Sequence, residues 1–447
     1  MRYTQLTPAD VQQMLARIGV RSVEDLFRDI PAGLRLRRPL DLPPALSEPE
    51  ILDHLAALAH KNTGTHQACC FLGGGAYDHF IPTVVDALAG QSEFVTAYTP
   101  YQAEASQGSL QAFYEYQTLI CQITGMDVSN ASLYDGASAT AEAALMARAA
   151  NGRGRLVVSA AVHPHTRQVL ATYMANLPIE LATVPAPDGQ TDLDALRRDV
   201  DDRTTAVILQ SPNFFGIVEP LEAAARIVHE AGGLMIASVD PISCGLLKSP
   251  GACGADIVVG EGQPLGIPLS YGGPYLGFLA CREVFVRRMP GRLVGATRDR
   301  QGRRGFCLTL QTREQHIRRE RATSNVCTNQ GLLALRAAVY LAAMGRSGLA
   351  KVASLCLSKA HYAADRISRI DGFELRFPGR PFFKEFVVRT RKDVAGVLEA
   401  ARSRSILAGP ALGRWYPDMS DCFLVAVTEK RSRQEIDALG ESLGGAR

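Results

Sequence analysis

The stretch EPLEAAARIVHEAGGLMIASVD, residues 219–240, indicates the fold because it joins two different hydrophobic patterns. Its first half carries apolar residues three and four positions apart, which is typical of one face of an amphipathic helix. Its second half is a short apolar run that ends in Asp240. A helix that leads into a buried strand is the unit from which parallel sheets with covered faces are built. The stretch therefore predicts an α/β fold.

Six further strand-like runs lie on either side of this stretch. They are ASLYD (131–135), RLVVSA (155–160), IELATV (179–184), TTAVILQ (204–210), ADIVVGE (255–261) and LGFLACR (276–282). Helix-length amphipathic segments separate most of them, so we predict a mainly parallel sheet of seven strands. Functional side chains are then expected at the carboxyl ends of these strands.

The composition changes on both sides of the predicted sheet. Residues 1–115 are predicted to form an N-terminal arm and helical segment, because short helical patterns there alternate with breakers such as Pro43-Pro44. We assign residues 116–335 to a large domain that holds the sheet. Residues 336–447 are predicted to form a smaller α/β domain, whose strands are FELRF, EFVVRT and DCFLVAVT.

Composition and charge narrow the class of protein. The chain has 447 residues, 47% hydrophobic and 21% charged, with a formal charge of +3, which is ordinary for a globular protein and gives no reason to expect nucleic acid binding. The ten cysteines show no CxxC pair and no zinc-type spacing, so we expect no metal site. We expect no membrane span and no leader, because no apolar run reaches roughly 18 residues and the N-terminus lacks a basic and apolar start. A cytoplasmic location is predicted.

Several residues near the predicted strand ends could bind a phosphorylated ring. Ser138 and Thr140 begin an alanine-rich helix, where backbone N–H groups and hydroxyls can bind an anion, although Ser138 could equally be an N-cap. His163 could stack on a flat ring or be a polar turn residue. Asp240 could pair with a protonated pyridine nitrogen or cap its strand. Gln263 follows the sixth strand.

Together and in this chain order, these residues resemble the pyridoxal phosphate (PLP) enzymes of the aspartate aminotransferase fold, fold type I. That resemblance implies a Schiff-base lysine shortly after the sixth strand, and Gln263 stands there instead. An amide cannot form an imine, so no covalently bound cofactor is expected in this chain. Lys248 precedes the sixth strand. The remaining lysines were assigned to solvent contact: Lys61, Lys351, Lys359, Lys384, Lys392 and Lys430.

Longer segments resemble one family, the P-protein of the glycine cleavage system. They are FLGGGAYDHFIPTVVDAL (71–88), TAYTPYQAEASQGSLQAFYEYQTLI (96–120), YDGASATAEA (134–143), YGGPYLGFLA (271–280), MPGRLVG (289–295), GRRGFCLTLQTREQHIRRERATSNVCTNQ (302–330) and PFFKEF (381–386). The likeness runs nearly from end to end. In that family the two homologous halves are either fused or separate, and the length and missing lysine imply the alpha-type half.

The resemblance implies a role in glycine decarboxylation. The alpha subunit would pair with a beta subunit that carries PLP, in an α2β2 heterotetramer, and the complex would decarboxylate glycine and pass the aminomethyl group to the lipoyl group of H-protein. The isolated chain is then expected to be inactive. Two rivals remain open: a non-catalytic scaffold that docks H-protein, and an enzyme that uses PLP without a Schiff-base lysine.

Two polar segments are candidates to reach across the subunit interface to the beta site. Their residues offer phenols, hydroxyls and amides: Tyr98, Tyr101, Gln102, Thr323, Ser324 and Asn325. Such groups suit contact with an anionic phosphate or carboxylate. The alternative is that they only pack the interface. Ser138, Thr140, His163, Asp240 and Gln263 would form a vestigial cofactor pocket.

Overall fold

The computed structural model describes residues 5–96, 100–322, 324–327 and 330–445. The chain divides into two compact units, Met1–Thr63 and Gly64–Arg447. The predicted boundary at 115/116 falls within a helix, Gln107–Thr124, and the one at 335/336 falls within another, Gly331–Ser368. The domain limits drawn from composition stay a prediction.

The N-terminal unit is held by local contacts. Its helices are α1 (Pro8–Ile18) and α2 (Glu48–Ala59), and each begins with a capping box, formed by Thr7 with Asp10 and by Ser47 with Glu50. Among its described residues Leu15 alone is buried. Sixteen of the twenty-seven exposed large apolar side chains in the described chain belong to this unit. The unit therefore has almost no hydrophobic core of its own.

The second unit is built on a seven-stranded sheet. The strands of the described chain are β1 (Cys69–Phe71), β2 (Val128–Ser129), β3 (Arg155–Ser159), β4 (Glu180–Val184), β5 (Thr204–Ser211), β6 (Leu234–Val239), β7 (Ile257–Glu261), β8 (Gly277–Cys281), β9 (Leu293–Arg298), β10 (Arg304–Thr309), β11 (Phe373–Leu375), β12 (Glu385–Thr390), β13 (Ile406–Ala408) and β14 (Cys422–Ala426). The large sheet has the order β2-β8-β7-β6-β5-β3-β4. Its five strands from β3 to β7 are mutually parallel, and β8 runs antiparallel to β7.

The predicted α/β class and mainly parallel sheet are confirmed. One predicted strand is misplaced: ASLYD, residues 131–135, forms only a single bridge, between Leu133 and Gly277, and the first strand of the sheet is β2. The run cannot continue as a strand because Asp135 already caps the next helix.

Helices cover both faces of the sheet. In the second unit they are α3 (Thr83–Ala89), α4 (Ser92–Val95), α5 (Gln107–Thr124), α6 (Gly136–Asn151), α7 (Pro164–Met174), α8 (Leu193–Asp199), α9 (Leu221–Glu230), α10 (Gln315–Arg318), α11 (Gly331–Ser368), α12 (Val394–Arg402) and α13 (Arg433–Gly445). One core lies between the sheet and α5, α9 and α11, and another between the sheet and α6 and α7. Burial on both faces explains why the strands are continuous apolar runs.

The C-terminal part adds a small antiparallel sheet of β11, β12 and β14, which packs with α12 and α13 in a third core. The helix α11 leads into it from the large sheet. By length and composition α11 could cross a membrane, but fourteen of its side chains are buried within the protein, as in the core helix of a globular fold.

Candidate functional site

A cavity of about 490 Å³ lies at the carboxyl ends of the central strands. Strand β6 leads into Asp240, β7 ends in Glu261, and α6 begins at Gly136, and all three residues line the cavity. Of the predicted pocket residues, His163 and Asp240 line the cavity. Ser138, Thr140 and Gln263 are not among its described lining residues.

A buried ion pair crosses the floor of the cavity. The ammonium Nζ of Lys384 lies 2.8 Å from Oδ2 of Asp240, and Lys384 is only 1% exposed. The same ammonium lies 3.5 Å from the centre of the Tyr77 ring, a close cation–π contact. The assignment of Lys384 to solvent is therefore wrong, because this lysine is enclosed by a carboxylate and an aromatic face.

The ion pair continues into a hydrogen-bonded chain. Lys384 Nζ lies 3.0 Å from Nε2 of His79, and Nδ1 of His79 lies 2.6 Å from Oε2 of Glu429. Burial and the neighbouring ammonium lower the pKa of His79, so its neutral ring accepts from Lys384 and donates to Glu429. Burial alone would raise the pKa of Glu429, but the hydrogen bonds from His79 and from the Phe80 N–H lower it below its usual range.

Part of this chain has metal-like spacing. One potential ligand atom from each of His79, Cys356 and Glu429 lies within 4.8 Å of the others. However, the Lys384 ammonium is 3.0 Å from the second nitrogen of His79, and a second cation beside it would be repelled. Burial also raises the pKa of the Cys356 thiol, which disfavours the thiolate that metals bind. The cluster therefore suits hydrogen bonding better than metal binding.

The amide of Gln263 is fully used by the backbone. Its Oε1 accepts from the Tyr77 N–H at 2.8 Å, and its Nε2 donates to the carbonyls of Tyr77 at 3.0 Å and Ile267 at 2.8 Å. Gln263 is 1% exposed. The side chain thus joins the loop around Tyr77 to the segment after β7, and it holds Tyr77 against Lys384.

The first turn of α6 is capped by carboxylates. The Gly136 N–H donates to Oε2 of Glu261 at 3.0 Å, and the Ser138 N–H donates to Oδ1 of Asp135 at 2.7 Å. The hydroxyl of Ser138 also bonds to Asp135, and that of Thr140 donates to the Gly136 carbonyl at 2.8 Å. Both hydroxyls predicted to bind an anion are therefore committed within the helix.

His163 lies on the opposite wall and is held as a neutral ring. Its Nε2 is 2.7 Å from the Gly74 carbonyl, and its Nδ1 accepts from the His165 N–H at 3.1 Å. Burial lowers its pKa to about 4. The ring contacts Phe214 edge to face, with centroids 4.9 Å apart.

Two glutamates give the cavity its titratable character. Glu385 accepts from the Tyr77 hydroxyl and from the Gly74 N–H, each at 2.7 Å. Burial raises the pKa of Glu385 to about 7, and it also raises the pKa of Glu261 to about 7 despite three backbone N–H donors. The cavity therefore gains negative charge as the pH rises through neutrality.

A pyridoxal phosphate cofactor does not fit this arrangement of side chains. Asp240, the candidate partner of a pyridinium nitrogen, is already bound to Lys384. At the start of α6, where a phosphate would bind, the N–H groups of Gly136 and Ser138 are already bound to Glu261 and Asp135, and the Asp135 carboxylate would repel the anion. Lys384 supplies the one amine among the described residues that line the cavity.

The predicted interface residues lie in two separate places. The Tyr101 hydroxyl accepts from Arg292 at 3.0 Å, and its ring meets His316 edge to face. Tyr101 and Gln102 are exposed. Ser324 and Asn325 instead line a second cavity, and the segment that contains them leads into α11. Tyr98 and Thr323 lie outside the described residues.

Sequence reasoning missed three charged residues that line the pocket, Lys384, Glu261 and Glu385, and two that are hydrogen-bonded in a chain to Lys384, His79 and Glu429. A signal for one of them was present, because Lys384 lies in PFFKEF, between apolar residues that predict burial. A buried lysine needs an anionic partner, and Asp240 was a candidate carboxylate that had not been paired with any side chain of this chain.

Comparison with known proteins gives the family. The model of the family "Glycine cleavage system P-protein" matches residues 1–443. The chain is 53% identical to the probable glycine dehydrogenase (decarboxylating) subunit 1 of Carboxydothermus hydrogenoformans, covering 100% of both chains, and 53% identical to that of Moorella thermoacetica, covering 100% of this chain and 99% of the other.

Solved structures agree. The glycine decarboxylase (P-protein) of the glycine cleavage system, in inhibitor-bound form, superposes with a TM-score of 0.92 at 45% identity over 100% of both chains. The sphingosine-1-phosphate lyase of Burkholderia pseudomallei shares the fold, with a TM-score of 0.67 at 17% identity over 93% of this chain and 94% of the other. The family resemblance is confirmed, and the chain belongs to the glycine cleavage system P-protein family, as a glycine dehydrogenase (decarboxylating) subunit of the subunit 1 type.

Proposed function

We propose that this chain is the alpha subunit of a heteromeric P-protein whose PLP is held by the other subunit. The complex decarboxylates glycine and transfers the aminomethyl group to the lipoyl group of H-protein. The alpha chain itself forms no imine, and the isolated chain is inactive. The complex is an α2β2 heterotetramer in the cytoplasm.

The observation that carries this proposal is that the Lys384 amine and the Gln263 amide both have bonding partners within the chain. Gln263 has both ends of its amide bound to backbone, and the Lys384 amine is bound to Asp240. An amine held by a carboxylate 2.8 Å away is engaged in an ion pair and is not free to act as a nucleophile. Neither side chain can therefore take the role of the missing Schiff-base lysine.

The exposed apolar side chains of the N-terminal unit are further support for the presence of a partner subunit. Helix α2 exposes Ile51, Leu52, Leu55 and Leu58, which lie along one side of the helix. An apolar stripe of this kind, in a unit whose described part has one buried residue, gains stability when another protein covers it. We assign that stripe to the second P-protein subunit, which the relatives' designation as subunit 1 implies.

Polar groups of the alpha chain are proposed to contribute to the partner's site. Tyr101 and Gln102 carry exposed phenol and amide groups, and the Tyr101 phenol accepts from the basic side chain of Arg292. Ser324 and Asn325 add a hydroxyl and an amide near a separate cavity. Tyr98 and Thr323 belong to the same two segments. If these groups reach an anionic substrate or cofactor, removing one should lower turnover without preventing assembly.

The test is to purify the chain with and without the second subunit. The absorbance band of bound PLP and glycine-dependent CO2 release are then recorded for both preparations. We expect both signals from the complex and neither from the isolated chain. CO2 release by the isolated chain, or a borohydride-trapped pyridoxyl adduct on one of its lysines, would contradict the proposal.

A second measurement separates this role from that of a scaffold. Asn325→Ala complexes should assemble normally but exchange the glycine carboxyl with CO2 about ten- to a hundredfold more slowly, as expected when one hydrogen bond to a reacting group is lost. Gln301→Ala, on the exposed β9–β10 turn, is the control. Parental exchange rates in Asn325→Ala would favour a subunit that only docks H-protein.

A further inference from the structure

We propose that Lys384 and Glu261 occupy the places of the cofactor's ring cation and phosphate, so that this pocket is complete without PLP and excludes it. The inference goes beyond a missing lysine at position 263. It predicts that the pocket rejects even a cofactor analogue that needs no imine.

Lys384 occupies the position where the ring nitrogen of the cofactor would bind. A pyridinium nitrogen binds to a buried carboxylate because the pair of opposite charges is stable away from water. Asp240 already has such a cation 2.8 Å away, and the same ammonium is enclosed by the Tyr77 ring and by His79. A second cation at Asp240 would have to displace an ammonium that is tethered to the chain and therefore loses little entropy on binding.

The position of Lys384 is itself fixed by the small sheet. Its carbonyl accepts from the Val427 N–H at 2.8 Å, and Glu385 pairs with Ala426 at the start of β12. The side chain thus projects from a regular strand end into the cavity. A rigid backbone of this kind makes the ammonium a permanent part of the pocket wall.

Glu261 occupies the position where the phosphate of the cofactor would bind. Its carboxylate accepts from the N–H groups of Gly136, Gln263 and Leu276, at 2.9 to 3.0 Å. The side chain comes from the end of β7 and lies in the cavity wall. A phosphate brought to Gly136 would meet the Glu261 side chain and the Asp135 carboxylate, and would find the N–H groups of Gly136 and Ser138 already bound.

An alternative use of Lys384 is as a relocated imine lysine. Nucleophilic lysines are activated by apolar surroundings or by a second cation. The Lys384 nitrogen instead lies 2.8 Å from Oδ2 of Asp240 and 3.0 Å from Nε2 of His79, so it is engaged on two sides within the chain. The geometry therefore supports a counter-ion.

The test uses pyridoxamine phosphate, which carries the ring and the phosphate but no aldehyde. Binding to the full chain is followed by the fluorescence of Trp415, the single tryptophan, whose ring lies 5.6 Å from the ring of the cavity residue His165. The variants are K384M, E261Q and the double variant. The control is K359M, which removes a half-buried lysine outside the cavity lining.

We expect no saturable binding by the parent or by K359M at millimolar pyridoxamine phosphate. The double variant should bind at least about tenfold more tightly than the parent, because the ring and phosphate sites are released together. A folded double variant that binds no more tightly than the parent would overturn the proposal, and so would tight binding by the parent.

Two additions keep the outcome decisive. If K384M fails to fold, E261Q alone is titrated with inorganic phosphate, and an affinity equal to that of the parent counts against the proposal. Treatment of the parent with PLP and borohydride, followed by peptide mapping, must leave Lys384 unmodified. Since the binding tests involve no glycine and no partner, their failure is distinguishable from a failure of the proposed function.

Discussion

The cavity at the carboxyl ends of the strands and the N-terminal unit differ in where their side chains find partners. Among the cavity residues, Asp240, His163 and Glu261 are each bound by other groups of the same chain, and so is Gln263, which lies outside the lining. In the N-terminal unit, large apolar side chains have solvent around them. In the cavity, where a fold of this kind would bind a small molecule, the polar groups are thus bound by the chain itself. In the N-terminal unit, apolar surface is left exposed, and another protein could cover it.

The strongest challenge to that contrast is to change the apolar stripe of α2. Leu52→Asp with Leu55→Asp should weaken assembly with the second subunit by about 5 kcal/mol or more, over a thousandfold, because two leucines are lost from the interface and two charges are placed there. Sedimentation of the mixed subunits measures the affinity. Ala57→Asp with His60→Asp, which adds the same charge to the other side of the helix, is the control. Equal affinities for the two double variants would remove the stripe from the interface.

The next prediction concerns the ion pair. K384M leaves the Asp240 carboxylate without its counter-ion, although the Ile242 N–H still donates to it, and should lower the free energy of unfolding by about 3 to 5 kcal/mol. Adding D240N should recover much of that loss, since the uncompensated charge is gone. Urea unfolding of both variants measures the difference. If K384M is as stable as the parent, the pocket does not depend on its internal pair.

Replacing Gln263 by alanine should cost less. The change leaves the Tyr77 N–H and the Ile267 carbonyl without their partner, while the Tyr77 carbonyl keeps the His79 N–H, and the loss costs about 1 to 3 kcal/mol for buried groups. Calorimetry of the isolated chain gives the loss. Gln301→Ala, on an exposed turn, should be within error of the parent. A Gln263→Ala chain of parental stability would mean that the amide does not hold the loop.

The smallest effect is a pH dependence of stability. Burial raises the pKa of Glu385 from 4.5 to about 7, so the folded state holds this proton more tightly than the unfolded state does. Stability from this group is therefore greatest below about pH 4.5 and is lost as the pH rises toward 7. Relative to the parent, E385Q should gain on the order of 2 kcal/mol between pH 5 and pH 8. Parallel pH profiles for the two proteins would show that Glu385 is ionised throughout.

The order of strands and helices could be predicted because burial is written into the periodicity of the sequence. The run at 131–135 was misplaced because a helix cap and a strand end use similar residues. The pairing of Lys384 with Asp240 could not be predicted in this way. The two residues lie in different sheets, and only the closure of β12 against the end of β6 brings them together.

The internal bonds of Gln263 are a second example. The sequence indicated which chemistry an amide excludes, but the partners of that amide come from a loop near residue 77, far away in the chain. The roles assigned to Ser138, Thr140, Tyr101, Gln102, Ser324 and Asn325 stay predictions. For Ser138 and Thr140, local hydrogen bonding within α6 competes with any ligand.

The Lys384 ion pair also has a mechanical consequence. It joins Lys384, the residue before β12, to Asp240, the residue after β6. The ion pair therefore connects the small antiparallel sheet to the large sheet. A swing of the small sheet away from the cavity would have to separate two buried charges. Amide hydrogens of β12 and β14 should therefore exchange with solvent at the slow rate of the large sheet, which would make this subunit a rigid frame.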